Sequence, residues 1–174
     1  GGWWSNLTYG DILDRSAQRY PDKLAIIDDS VTITYRQLKD KVDRLAIAFL
    51  ELGIKKHDRI LFQLPNRHEF IIAYYAAQRI GAVPILAAAR QEYQEISHFF
   101  KLSEPVAWIV PATDGKRDFA PLVEKIRAEK GTSLKYLIMP ESEDEVLDGA
   151  SSMPKLISNI NLEDYPPDYL QQFS

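Results

Sequence analysis

The chain has 174 residues, of which 45% are hydrophobic, so it can bury one substantial core and we expect one domain or a large subdomain. It contains no cysteine, which excludes disulfides, thiol nucleophiles and zinc–thiolate sites. Its formal net charge of -4 argues against nucleic acid as a main partner, and no apolar run approaches the roughly 20 residues that a membrane span needs.

A short helix and a hairpin are predicted at the start of the chain. Thr8 and Asp11 form a capping-box pattern, which indicates a helix over residues 9–20. Two β-rich runs, residues 24–28 and 31–34, are separated by two polar residues and predict a β-hairpin. We therefore expect a small two-stranded sheet ahead of the main body of the domain.

The next segment has the signals of a long amphipathic helix. Thr34, with Gln37 three residues later, forms a second capping box, and Gly53 stands where a left-handed C-terminal cap belongs. Between them, apolar residues recur at helical spacing: Leu38, Val42, Leu45, Ala46, Phe49 and Leu50. This pattern predicts a helix with one buried face.

A strand, a helix and a second strand follow. Residues 60–64 form a short apolar run, and Asn66 with Glu69 predicts the start of a helix that Gly81 closes. Residues 82–88 are almost all apolar, which is typical of a strand in a parallel sheet that is buried on both faces. We therefore expect both faces of this second strand to be covered.

The same alternation continues to residue 139. Residues 92–102 predict a helix, 106–110 a strand, 117–130 a helix and 134–139 a further strand. Strands that alternate with helices favour a parallel sheet. The predicted fold class is α/β: a mostly parallel, doubly wound sheet flanked by helices, with the small N-terminal β-hairpin beside it.

The composition changes after Pro140. Five acidic residues fall between positions 141 and 148, which predicts a surface loop that packs poorly. Residues 156–162 are a candidate for one more edge strand. We therefore divide the chain into an α/β subdomain over residues 1–140 and an acidic loop with an extended segment over residues 141–174.

No group of residues in the sequence forms a recognisable catalytic motif. His57, His68 and His98 have neither a serine nucleophile motif nor a second histidine at metal-ligand spacing, so we expect structural or solvated roles. No glycine-rich phosphate motif occurs, and Arg67 at a helix start is more readily a solvated side chain than an anion contact. The Trp3-Trp4 pair predicts anchoring in the core. We assign no catalytic, cofactor-binding or metal-ligating residue.

Three short motifs occur in a fixed order and spacing. They are Arg19-Tyr20-Pro21-Asp22-Lys23-Leu24-Ala25, Ile33-Thr34-Tyr35-Arg36-Gln37-Leu38 and Arg79-Ile80-Gly81-Ala82-Val83-Pro84. In this order they resemble the N-terminal part of the adenylate-forming enzymes, which include acyl-CoA synthetases, adenylation domains of nonribosomal peptide synthetases and luciferases. The resemblance runs from about Trp3 to Pro111, and more weakly to Phe173, and implies that the chain is the N-terminal subdomain of such an enzyme.

Further segments are similar to one branch of that superfamily, the 2,3-dihydroxybenzoate- or salicylate-AMP ligases of siderophore biosynthesis. They are Leu7-Thr8-Tyr9-Gly10-Asp11-Ile12-Leu13, Val42-Asp43-Arg44-Leu45-Ala46 and Gln63-Leu64-Pro65-Asn66 with Glu69-Phe70. After the second apolar strand this branch usually carries a Pro and then a His-Arg pair, whereas here the run is Ala87-Ala88-Ala89-Arg90-Gln91-Glu92. An acyl-CoA synthetase or an amino-acid adenylation domain therefore stays open as an alternative.

The resemblance also implies the reaction of the parent protein. A carboxylate attacks the α-phosphate of Mg-ATP to give an acyl-adenylate and pyrophosphate, and a thiol then takes the acyl group. The family's phosphate loop and catalytic residues correspond to positions beyond Ser174, so residues 141–174 are expected to lead toward an absent phosphate-loop region. We expect a cytoplasmic parent ligase, and an isolated chain that is inactive and binds no cofactor alone.

The same resemblance implies the partners. For the parent protein they are an aryl acid, ATP and an aryl carrier protein, with no nucleic acid and no membrane. The truncated face of the chain is expected to expose apolar surface and permit self-association. From a different class of function, a complete non-catalytic binding module with a flavodoxin-like sheet stays open as a second alternative.

Overall fold

The computed structural model describes residues 8–173. Its helices are α1 Tyr9–Arg19, α2 Tyr35–Leu52, α3 His68–Arg79, α4 Tyr93–Ser103, α5 Ala120–Arg127 and α6 Met153–Ser158, with 3-10 turns at Leu162–Asp164 and Tyr169–Gln172. Its strands are β1 Leu24–Ile27, β2 Thr32–Thr34, β3 Arg59–Phe62, β4 Val83–Leu86, β5 Ala107–Ile109, β6 Thr113–Asp114, β7 Arg117–Asp118, β8 Tyr136–Met139 and β9 Ser151–Ser152. Within this range, no helix has the length and apolar character that crossing a membrane requires.

The main sheet has five parallel strands in the order β4-β3-β5-β8-β9. Helices α2, α3 and α6 pack on one face of this sheet, and α4 and α5 pack on the other. Strands β1 and β2 pair antiparallel as a separate hairpin. The predicted α/β class, the doubly wound parallel sheet and the N-terminal hairpin are therefore confirmed.

Alternation along the central strands divides the core into two layers. In β3, Ile60 and Phe62 face the layer beneath α2 and α3, while Leu61 faces α4 and α5. Strand β5 does the same, since Ile109 lies in the first layer and Trp108 in the second. Successive side chains of a strand point to opposite faces, so an apolar run of three or four residues fills both layers.

The caps that the sequence predicts for α1 and α2 are present. Thr8 and Thr34 each close a capping box, with the side chains of Asp11 and Gln37 returning to the cap N–H. Gly53 ends α2 with a φ of 112°, in the left-handed region. This backbone conformation favours glycine, and a Cβ on Gly53 would also lie 2.5 Å from the Tyr136 hydroxyl oxygen, so that Tyr136 would have to move.

The predicted start of α3 is wrong. The helix begins at His68, with Arg67 as N-cap and no side-chain cap, so Asn66 does not cap it. The N–H of His68 instead donates to Asp28 Oδ2 at 3.1 Å. A carboxylate from the hairpin, 40 residues earlier in the chain, satisfies the free N–H that a local cap would have taken.

The prediction that residues 82–88 are buried on both faces is also wrong. Strand β4 is parallel to β3, as expected, but it lies at one edge of the sheet. Val83 is 40% exposed and Leu86 is 54% exposed. An apolar run of this length does not distinguish an edge strand from an inner one, because strand order depends on contacts that are distant in sequence.

The helix predicted over residues 117–130 is shorter, because its first residues form a hairpin. Residues Thr113–Asp114 and Arg117–Asp118 pair as β6 and β7 around Gly115, which has a φ of 58°. Helix α5 then starts at Ala120, with Pro121 in its first turn. Proline suits this position because the missing N–H would have had no helical partner there.

The chain after Pro140 returns to the sheet. Strand β9 pairs with β8, and residues 153–158 form α6 where an edge strand was a candidate, so that assignment is wrong. Ser152 caps α6 by accepting from the Lys155 N–H, and Pro154 lies in the first turn. Val146 and Leu147 pack against the core, contrary to the expected poor packing of this loop. The division of the chain at residue 140 stays a prediction.

Candidate functional site

The carboxyl ends of the parallel strands form the edge of the sheet where a site is expected. From β3 the chain crosses through α3 to β4 on one side and then through α4 to β5 on the other, so the strand order reverses at β3. In open α/β sheets, ligands bind outside the carboxyl ends of the strands at such a reversal. The candidate site is therefore the edge formed by the segments that follow β3, β4 and β5.

Gln63, the residue directly after β3, is the centre of this edge. Its side chain is fully buried. The amide oxygen accepts from Trp108 Nε1 at 3.2 Å, and the amide nitrogen donates to the carbonyls of Gln91 at 2.9 Å and Ala89 at 3.4 Å. A buried amide without hydrogen-bond partners would cost about 1–3 kcal/mol, so breaking these bonds is unfavourable. Through them, the one side chain of Gln63 connects strand β5 with the segment after β4.

Arg117, on β7, holds the same segment from outside. Its two terminal nitrogens donate to the carbonyl of Ala89 at 2.6 Å and to that of Gln91 at 2.9 Å. The guanidinium also forms an ion pair with Glu92 at 3.1 Å and lies over the Phe119 ring at 4.1 Å. Two carbonyls of the segment after β4 are thus each bonded by both Gln63 and Arg117.

Glu141 organises the segment after β5. Its carboxylate accepts from the N–H groups of Ala112 at 2.9 and 3.0 Å and of Thr113 at 3.3 Å. The Glu141 carbonyl accepts from the hydroxyl of Ser152, which caps α6. Glu141, the first residue of the predicted acidic loop, therefore accepts hydrogen bonds from backbone N–H groups and is not simply a solvated charge.

A polar crevice of about 350 Å³ lies between the segments that follow β3, β5 and β8, lined by Arg67, Glu69, Thr113, Asp114, Gly115, Pro140, Glu141, Ser142 and Glu145. Four of its side chains are acidic and one is basic, so the crevice is electrostatically unfavourable for a phosphate. Arg67, the candidate anion contact, has its Nε 3.8 Å from Glu69 Oε2. Within residues 8–173, no group of three or more His, Asp or Glu side chains is placed to hold a metal ion.

The histidines have different surroundings, and none of them pairs with a serine among residues 8–173. His68 lies with Nδ1 2.6 Å from Asp28 Oδ2, at the N-terminus of α3. His57 occupies a turn with a φ of 72°, and His98 is exposed on α4. Hydrogen bonds from the Ser30 N–H and from His68 hold the pKa of Asp28 well below its ordinary value. This pair joins the hairpin to α3, as a structural role predicts.

A larger cavity, of about 1020 Å³, lies at the amino end of β4 instead of at the carboxyl edge. Its charged wall joins three helices: Arg79 of α3 bonds Asp14 of α1 at 2.7 and 2.9 Å and lies 3.0 Å from Asp43 of α2. Opposite charges here are paired, which indicates a structural clasp. Thr8 borders the cavity, and the Trp3-Trp4 pair just before it lies outside the described residues.

Sequence reasoning did not find Gln63 or Arg117. The available signal at Gln63 was an amide directly after an apolar strand, where a buried polar side chain requires a partner. Arg117 gives no such signal, because the sequence pattern predicts one helix over residues 117–130. The fold and this edge define the class of the protein: a doubly wound α/β domain whose strand order reverses at β3, with a polar crevice beside the segments that follow β3 and β5.

Comparison with known proteins gives the family. The model of the AMP-binding enzyme family matches residues 13–166, so the chain belongs to the AMP-binding enzymes. It is 34% identical over 143 residues to a 2,3-dihydroxybenzoate-AMP ligase of Bacillus subtilis, covering 82% of this chain and 26% of that protein. It is 32% identical over 143 residues to a salicyl-AMP ligase / salicyl-S-ArCP synthetase of Mycobacterium tuberculosis, covering 79% and 25%.

The fold is similar to that of a solved relative. The apo structure of MbtA from Mycobacterium smegmatis superposes with a TM-score of 0.77 at 28% identity, over 92% of this chain and 28% of that one. The chain spans about a quarter of the length of the curated relatives that it matches. The predicted resemblance to the N-terminal part of the adenylate-forming enzymes, nearest to the aryl-acid branch, is confirmed.

Proposed function

We propose that this chain is the N-terminal scaffold of an ATP-dependent aryl-acid adenylating enzyme. The observation that carries the proposal is the similarity to two aryl-acid AMP ligases, which covers about four fifths of this chain but about a quarter of each relative. The parent protein joins a carboxylate to ATP, releases pyrophosphate and passes the acyl group to a carrier-protein thiol in siderophore or related peptide assembly. Its place of action is the cytoplasm.

The described residues do not fit the triphosphate of ATP by themselves. The segment after β3, Pro65-Asn66-Arg67, lacks the glycines that let backbone N–H groups approach a phosphate. The crevice beside it is lined by four carboxylates, which repel a phosphate. We therefore assign the binding of ATP and Mg²⁺ to the parent protein and none to this chain alone.

The role that we propose for these residues is positional. Gln63 and Arg117 fix the segment after β4, and Glu141 fixes the segment after β5, so the carboxyl edge is held by side chains from three strands or hairpins. Reactions of this class depend on holding the reactants in a fixed geometry. Membership of the AMP-binding enzyme family argues against the alternative of a flavodoxin-like binding module. Self-association through an exposed face remains part of the proposal.

The test is ATP–pyrophosphate exchange with salicylate and with 2,3-dihydroxybenzoate. We expect exchange from the complete gene product and none from residues 1–174. Benzoyl-CoA formation and exchange with a panel of amino acids serve as controls for the acyl-CoA synthetase and amino-acid alternatives. Exchange that occurs only with amino acids would overturn the aryl-acid assignment, and exchange by residues 1–174 alone would overturn the expected inactivity.

A further inference from the structure

The segment after β4 is held mainly through its backbone carbonyls. Residues 87–89 are all alanine, so they offer no polar group to fix the segment. The carbonyls of Ala89 and Gln91 each receive one bond from Gln63 and one from Arg117. Gln91 folds back so that its amide oxygen accepts from the Ala88 N–H at 2.8 Å. The segment is therefore fixed from its inner and outer sides.

Arg90 lies in the chain between the two residues whose carbonyls are bonded, but among the described residues its side chain makes none of the contacts that its neighbours make. Its side chain is exposed, and no hydrogen bond or ion pair to it occurs within residues 8–173. The nearby Arg117, by contrast, is paired with Glu92 and bonded to two carbonyls. A guanidinium on a segment fixed at its flanking residues loses less conformational entropy on binding an anion than one on a free loop.

Gln63 is suited to this task because an amide both donates and accepts. Its oxygen satisfies the buried indole N–H of Trp108, while its nitrogen bonds the two carbonyls. A carboxylate in this place would repel those carbonyls. An aliphatic side chain would leave the indole N–H of Trp108 without its acceptor and would remove the N–H donor to the two carbonyls. Glutamine therefore fits this position because it has a donor on one side, the Trp108 indole, and two acceptor carbonyls on the other.

We propose that Gln63 is a positioning residue of the carboxyl edge, which, together with Arg117, presents Arg90 to an anionic oxygen group of the substrate. This inference rests on the proposed function, because aryl acids and ATP supply such groups as a carboxylate or a phosphate. The guanidinium of Arg90 offers two parallel N–H donors, which match either group. Gln63 itself does not touch the ligand.

The experiment measures kcat and KM for salicylate and for ATP in the complete gene product. Gln63→Met keeps the length of the side chain and removes its hydrogen bonds, and Arg90→Ala removes the proposed anion contact. Gln94→Met is the matched control, because Gln94 is an exposed glutamine on α4. Arg117→Met is the second variant, and it removes the other hydrogen-bond donors to the same two carbonyls. The Arg117 side chain is 25% exposed, so this variant still tests the proposal if Gln63→Met does not fold.

We expect Arg90→Ala to raise one KM about tenfold, as losing a charge-assisted hydrogen bond does, with kcat changed less than about threefold. The KM for salicylate identifies a carboxylate, and that for ATP a phosphate. Gln63→Met and Arg117→Met should raise the same KM by about threefold to tenfold, yet add less than about twofold in the Arg90→Ala background. Unchanged KM values in Arg90→Ala, or effects that multiply fully, would overturn the proposal.

A second readout separates this proposal from the proposed function. Amide hydrogen exchange in residues 1–174 should quicken at Ala88 and Gln91 in Gln63→Met and stay unchanged in Gln94→Met. Unchanged exchange at both amides in Gln63→Met would overturn the clamp, whatever the enzyme does. A complete gene product that shows no pyrophosphate exchange with any acid would count against the proposed function, and the exchange rates would still decide the clamp.

Discussion

At the scale of single residues, Asp28 shows how one carboxylate can join two elements. Its Oδ1 accepts from the N–H groups of Ser30 and Val31 in the hairpin turn, and its Oδ2 accepts from the His68 N–H at the start of α3. These bonds favour the ionised form, which is why its pKa is lowered. The hairpin thus supplies the N-terminal cap that the sequence of α3 lacks.

The lowered pKa of Asp28 predicts a pH-dependent contribution to stability. Because the folded state holds the proton less tightly than the unfolded state, the contribution is present above the ordinary aspartate pKa of about 4 and is lost as the pH falls below it. Asp28→Asn should therefore lower the free energy of unfolding at pH 7 and flatten its decline between about pH 4 and 2. Urea unfolding at a series of pH values measures both effects.

Asp29→Asn is the control for this prediction. Asp29 is exposed, lies next to Asp28 and has no hydrogen-bond partner among residues 8–173. Replacing it with Asn changes the charge by the same amount as Asp28→Asn does. Its stability curve should run close to that of the unchanged protein. If the curves of Asp28→Asn and Asp29→Asn coincide across the acid range, Asp28 does not act as the cap described above.

At the scale of elements, β4 shows how an edge strand avoids pairing. The N–H groups of Val83 and Ala87 donate toward β3, to the carbonyls of Asp58 and Phe62. Since alternate residues of a strand direct their backbone groups to opposite sides, Pro84 and Leu86 face the open edge. Proline has no N–H, so Leu86 alone offers a donor there, and the edge is a poor template for another strand.

Replacing Pro84 should open this edge. Pro84→Val restores an outward N–H and raises β propensity on a strand with exposed apolar side chains, so we expect concentration-dependent association beyond that of the unchanged chain. Sedimentation velocity over a range of concentrations measures it. Adding Leu86→Lys to Pro84→Val should reverse the association, because a charge on the edge opposes pairing. Identical sedimentation of Pro84→Val and the unchanged chain would refute this role.

At the scale of the whole molecule, the residues after Pro140 complete the cover of α2. Met153 is buried in the main core, and Ile160 is buried against Ile47 and Ala48 of α2. Arg44 of α2 donates to the Ile160 carbonyl. Residues that looked like a loop leading away from the domain therefore close one face of its longest helix.

Ending the chain at Ser142 should destabilise the rest. It keeps Glu141, which holds the segment after β5, but removes two buried apolar side chains, Met153 and Ile160, each contributing about 1.5–3 kcal/mol. We expect a loss of at least about 3 kcal/mol in the free energy of unfolding, measured by urea denaturation. A chain that ends at Asp168 keeps both side chains and is the control. Unchanged stability on ending at Ser142 would instead support a domain boundary near residue 140.

The sequence by itself determined the features that depend on neighbours three or four residues apart. The capping boxes at Thr8 and Thr34, the left-handed end of α2 at Gly53 and the alternation of strands and helices were all legible in this way. Ordered motifs also indicated the family, which the match over residues 13–166 confirmed.

Only the tertiary structure decided which strand lies at the edge, what caps α3 and how the carboxyl edge is held. Each of these depends on contacts between distant positions: Asp28 with His68 across 40 residues, and Gln63 with the carbonyl of Gln91 across 28. Such contacts form because a buried polar group must find a partner wherever the fold brings one within reach. No local pattern records which partner that will be, so the candidate site could be recognised only once the strands were in place.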